Sequence, residues 1–75
     1  MKTPHLKNTV RQHRFLAGEM TQQDLAERAG VSRQTIIAIE KAKFRPSVEL
    51  ALRLARVFET TVEELFQLNF EGEIP

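Results

Sequence analysis

A chain of 75 residues, 28% charged and 41% hydrophobic, describes one small globular domain with a single thin core. It has no cysteine, which excludes a disulfide scaffold, a thiolate metal site and thiol redox chemistry. The net charge of +1 hides an asymmetry: residues 1–45 carry nine Lys/Arg against four Asp/Glu, and residues 46–75 carry two against six. That division points to a polyanion-binding face in the first half rather than to chance segregation of solvated charge.

Met1 to His5 contain no apolar run of the signal-peptide kind, and the most apolar stretch, Val48 to Phe58, is interrupted by Glu49, Arg53 and Arg56. A cytoplasmic location is therefore expected. No run alternates with period two, and the prolines at 4, 46 and 75 fall outside any helical pattern, so the predicted class is all-α. Residues 1–7 read as a tail. A first helix is predicted from about Asn8 to Ala17, with Val10, Phe15 and Leu16 as its apolar residues and Gly18 as its stop. At Met20-Thr21-Gln22-Gln23-Asp24-Leu25, Thr21 is the predicted N-cap, Asp24 the acidic partner of a capping box, and Met20 a staple onto Leu25. This second helix ends at Gly30.

Ser32 caps a third helix one residue after that glycine segment, with Val31 placed to staple onto Ile36. The connection Ala29-Gly30-Val31 is too short to reverse the chain, so the two helices are expected to cross steeply. Pro46-Ser47 opens a fourth helix, Val48 to about Phe58, and Thr61-Val62-Glu63-Glu64 opens a fifth with another capping box. Residues 8–68 make up the predicted domain, and 69–75 an acidic tail.

Stepping about 100° per residue along the third helix turns Thr35, Ile36 and Ile39 to one side and Arg33, Gln34, Ile37, Ala38 and Lys41 to the other. The second set suits the DNA major groove. Arg bridges guanine O6 and N7, Gln bridges adenine N6 and N7, and an aliphatic side chain meets the thymine methyl. Ile37 is alternatively a plain surface aliphatic residue, but its place between Arg33 and Lys41 favours the thymine contact.

The pattern Gln22-x3-Ala26-x3-Gly30-x5-Ile36-x2-Ile39, with Leu25, Ala29 and Val31 between, resembles the helix-turn-helix of the phage repressor/Cro family, often called XRE-type regulators. Pro46-Ser47 and Val57-Phe58 extend the likeness to the family's short stand-alone members, over roughly Asn8 to Leu68. The resemblance implies a five-helix DNA-binding domain. It also implies that Arg33, Gln34, Ile37 and Ala38 face bases, that Ser32 touches a base or a phosphate, and that Gln22 clamps a phosphate at the start of the second helix. Lys41, Lys43 and Arg45 would grip the backbone, and Arg14 and Glu40 would form an internal ion pair tying the first helix to the third. Ala42 and Glu59 stand where the family usually has glycine, so either those helices run on or a left-handed residue is tolerated at a cost of roughly 1 kcal/mol. His13 replaces a usual leucine. The turn Gly18-Glu19-Met20 is one residue longer than usual, which leaves the register of Arg14 open.

Other readings remain bland. His5 and His13 lie eight apart with no Cys or HExxH pattern beside them, so no metal site is expected. His13 is expected to be partly buried. Glu63-Glu64 and Glu71-x-Glu73 read as solvated charges, and nothing pairs a nucleophile with a base. Neither catalysis nor a cofactor is expected, and no small-molecule effector is evident. Phe58, Phe66 and Phe70 are candidate core residues, with Phe66, Leu68 and Phe70 as an alternative dimer seam.

For 75 residues the expected radius of gyration is roughly 11 Å, a body about 30 Å across that carries one recognition helix. Two copies on a twofold axis would set their recognition helices about 34 Å apart and read a near-palindrome in double-stranded DNA. The expected function is thus a homodimeric, sequence-specific transcriptional regulator acting as a repressor, with the acidic half between subunits. The alternative is an antitoxin-like or adaptor module whose helices hold a protein partner.

Overall fold

The computed structural model describes residues 5–69. In chain order they form β1 (His5–Asn8), α1 (Val10–Leu16), α2 (Gln22–Ala29), α3 (Arg33–Glu40), α4 (Val48–Val57), α5 (Val62–Leu65) and β2 (Phe66–Asn69). Five helices thus stand where five were expected. The all-α class is correct for the body of the domain, but β1 and β2 pair antiparallel, Leu6 opposite Leu68 and Asn8 opposite Phe66. β1 therefore takes in His5 to Lys7, which read as tail, and α5 ends at Leu65, immediately before β2. Phe70 and the acidic tail beyond it lie outside the described residues. The long dimension is 39 Å and the radius of gyration 12.7 Å, longer than the expected sphere.

Each helix from α2 onward starts on a hydroxyl. Thr21 Oγ1 accepts from Asp24 N at 2.9 Å while Asp24 Oδ2 accepts from Thr21 N at 3.3 Å, the full capping box. Ser32, Ser47 and Thr61 each accept from the backbone N–H three residues on. The box expected at Thr61 is one-sided, since only the hydroxyl-to-Glu64 N bond is made. Such caps each contribute on the order of 1 kcal/mol, which matters for helices of eight residues or fewer. α2 ends at Gly30 with φ 76°, and a Cβ there would lie 3.2 Å from Arg53 Nη1. The glycine is thus required by its backbone conformation, since the guanidinium end of exposed Arg53 can give way by a few tenths of an ångström.

The core takes Leu25, Ala26 and Ala29 of α2 and Ile36 and Ile39 of α3, which the helical periodicity turned inward, together with Leu50, Leu54 and Ala55 of α4 and Leu65 of α5. Met20 and Leu25 are both buried, as the staple required. Of the apolar residues on α1 only Val10 enters the core; Phe15 is 52% and Leu16 83% exposed. α1 is held instead by polar ties at both ends. Thr9 N donates to the Leu65 carbonyl at 2.9 Å and Thr9 Oγ1 to the Glu64 carbonyl at 2.8 Å. Asn8 Nδ2 donates to the Ile39 carbonyl at 2.8 Å. Phe66 packs against the core from β2, whereas Leu68 is exposed.

Candidate nucleic-acid interface

α3 is amphipathic in the expected sense. Ile36 and Ile39 are fully buried, Arg33 and Gln34 are exposed, and Ile37 and Ala38 are half-buried. Lys41 follows as the exposed C-cap. Arg33, Gln34, Ile37, Ala38 and Lys41 thus lie on the part of the helix left uncovered by α2 and the core. Ser32, the remaining base-contact candidate, uses its hydroxyl to cap α3 at 3.2 Å from Thr35 N and also meets Thr35 Oγ1 at 3.1 Å. Lys43 and Arg45 are exposed on the loop between α3 and α4.

The other end of the surface is built around one carboxylate. Arg14, 92% buried, sends Nε to Glu40 Oε2 at 2.7 Å and Nη2 to Glu40 Oε1 at 3.1 Å. Its third donor, Nη1, meets the Met20 carbonyl at 2.9 Å. The implied ion pair therefore forms, and the long turn resolves the register: Gly18 and Glu19 are both left-handed, and Met20 N returns to the Arg14 carbonyl at 2.9 Å. Gln22, first residue of α2, donates Nε2 to the same Glu40 Oε1 at 3.2 Å. This fixes the candidate phosphate clamp beside α3, in a surface depression it shares with Thr21, Gln23, Arg14 and Arg33.

Ala42 resolves in favour of the left-handed alternative. Its φ is 60°, Ala42 N donates to the Ile39 carbonyl and Lys43 N to the Ala38 carbonyl, each at 2.9 Å. That is a Schellman closure without its glycine. It ends α3 sharply and turns Lys43 out of the helix. Glu59 does the same for α4 at φ 53°, with Thr60 N bonded to the Ala55 carbonyl at 2.9 Å.

Two residues that the sequence reading left without a role stand beside this surface. Arg11 and Phe15 of α1 line a groove with Arg14, Gln22, Ile37, Glu40 and Lys41. An Arg and a Phe four residues apart on one helix face were the available signal, but only the α1–α3 packing brings them to the interface. His13 is half-buried, with Nδ1 within hydrogen-bond distance of Thr9 Oγ1 and the Thr9 carbonyl, and its ring centroid is 5.6 Å from that of Phe58. Among the described residues no group of His, Cys, Asp and Glu could hold a metal ion, and no helix is long and apolar enough to cross a membrane.

A family model described as helix-turn-helix matches residues 14–65. The chain is 49% identical over 61 residues (81% of this chain, 91% of the relative) to an uncharacterized HTH-type transcriptional regulator of Methanocaldococcus jannaschii. To proteins of the same description it is 46% identical over 68 residues in Methanothermobacter thermautotrophicus (89% and 97% covered) and 41% identical over 67 in Bacillus subtilis (89% and 100%).

Proposed function

Because the chain belongs to the helix-turn-helix family of phage repressor/Cro-like transcriptional regulators, and is thus a DNA-binding regulator, we propose that it is a repressor that occupies a near-palindromic operator as a homodimer. The third helix lies in the major groove, with Arg33, Gln34, Ile37 and Ala38 toward base edges and Ser32 at the groove wall. Gln22, Lys41, Lys43 and Arg45 hold phosphates on either side of it. The observation that carries this reading is the division of α3: its aliphatic residues Ile36 and Ile39 are used up in the core, and Arg33 and Gln34 point away with no partner among the described residues. Side chains that rich in donors, exposed along one helix beside a positive loop, gain most from a polyanion with acceptor-bearing edges.

The homodimer is supported by α4. Val48 and Leu52, one helical turn apart, are 78% and 57% exposed. Leu52 shares a depression with Arg56 and Glu63, an opposite-charge pair that becomes self-complementary across a twofold axis.

Selection of sites from random duplex DNA is the test, run on the wild-type protein and on Arg33→Ala and Lys43→Ala. Arg33→Ala should relax one base position per half-site at a cost of roughly 1–3 kcal/mol, whereas Lys43→Ala should weaken all sequences alike. An unchanged motif with Arg33→Ala would refute the docking register, and equal binding of unrelated duplexes by the wild type would refute sequence-specific repression.

A further inference from the structure

The groove between α1 and α3 contains a charge imbalance of which the proposed interface uses only Lys41. Its walls are Arg11 and Phe15 on one side, Ile37 and Lys41 on the other, with Arg14, Gln22 and Glu40 at its base. Glu40 is the only acid among the described residues that line the groove, and it is consumed. Its two oxygens take Arg14 Nε, Arg14 Nη2 and Gln22 Nε2. Arg11 and Lys41 therefore face the groove as cations with no acidic partner among the described residues. Arg11 is not loose either. Its guanidinium carbon lies 5.4 Å from the Phe15 ring centroid, and that of Arg14 lies 5.7 Å from the same ring. Phe15, 52% exposed, thus serves as a platform whose ring quadrupole holds the guanidinium in place and lowers the entropy lost when it binds.

We propose that Arg11 and Lys41 form a seat for one phosphodiester of the DNA backbone, with Phe15 as the platform that positions Arg11. A preorganised guanidinium with several free N–H donors matches the non-bridging oxygens of a phosphate, and it does so better than a freely rotating lysine. The seat adds α1 to a contact surface otherwise confined to α2, α3 and the loop after α3. It rests on the DNA-binding reading above. Lys41, Lys43 and Arg45 are the three cations already assigned to the backbone; Arg11, sharing the Lys41 phosphate, raises the number of backbone-facing cations to four per subunit.

The test uses the selected operator and measures dissociation constants against salt for wild type, Arg11→Gln and Phe15→Leu, with thermal melting as a folding control. For a dimer with about four contacts per subunit the slope of log affinity on log salt is about −7, and losing one contact per subunit brings it to about −5. Arg11→Gln should show that shift and an affinity loss on the order of tenfold near physiological salt, equal on all sequences. Phe15→Leu should keep the slope and lose less affinity, because the charge stays but its platform goes. Ethylation interference then locates the phosphate: one backbone position per half-site should interfere for wild type and interfere less for Arg11→Gln, in which only Lys41 still meets it. An Arg11→Gln slope and interference pattern identical to wild type would overturn the seat while leaving the DNA-binding reading intact. Failure of the wild type to bind any duplex would overturn both.

Discussion

At the scale of single residues the controlling group is Glu40. It sits in α3, yet its carboxylate is spent on α1 through Arg14 and on α2 through Gln22, so one side chain sets the mutual placement of three helices. The Arg14 and Glu40 side chains are only about a tenth exposed, and a buried pair of this kind contributes little net stability compared with an apolar replacement but is costly to break. Arg14→Met removes the cation from Glu40 and the donor from the Met20 carbonyl. It should lower unfolding stability by about 3 kcal/mol, and the double variant Arg14→Met/Glu40→Leu should lose clearly less than the sum of its single changes. Urea denaturation at fixed protein concentration measures both quantities. Strictly additive losses would show that the two groups act independently. The sequence carried the pair only through family likeness, since no local pattern links residues 26 apart.

At the scale of elements the helices were legible because their signals are local. Hydroxyl caps, staples and apolar residues at three- and four-residue spacing all fall within one or two turns, and α2, α3 and α4 begin where those signals place them. The ribbon was not legible for the opposite reason. β1 is His-Leu-Lys-Asn and β2 is Phe-Gln-Leu-Asn, so one alternation in each is too short to register, and the pairing joins residues some sixty apart. Of the three apolar residues of the first helix, Phe15 and Leu16 stay exposed, because α1 is fastened by Asn8, Thr9 and Arg14 and needs only Val10 inside. The helix ends offer a prediction. Ala42 occupies a left-handed position with a complete Schellman hydrogen-bond pair, so Ala42→Gly relieves the Cβ strain without losing a bond. The expected gain is about 1 kcal/mol, which for a domain of this size is a rise of roughly 4–8 °C in Tm. A Tm that falls would mean that glycine's extra freedom in the unfolded chain outweighs the relieved strain.

At the scale of the whole molecule the near-neutral total charge conceals a division of labour. Arg11, Arg33, Lys41, Lys43 and Arg45 surround the outer face of α3, while the second half of the chain carries the acidic surplus. In the proposed mechanism a single subunit presents one short recognition helix, and operator affinity comes from linking two. Because the second half-site is then engaged at high effective concentration, joining two weak half-site contacts multiplies affinity by roughly 10² to 10⁴. The exposed Val48 and Leu52 of α4, with Arg56 and Glu63 beside Leu52, are the surface we assign to that link. Leu52→Glu places a charge at its centre, 57% exposed in the isolated subunit, so folding should be spared while association is lost. Sedimentation equilibrium should then return a monomer mass where the wild type returns a dimer. Binding to the full palindrome should weaken by about a hundredfold or more, with half-site affinity unchanged. A Leu52→Glu protein that still sediments as a dimer would move the twofold axis away from α4, and a wild-type monomer would remove the dimer from the mechanism altogether.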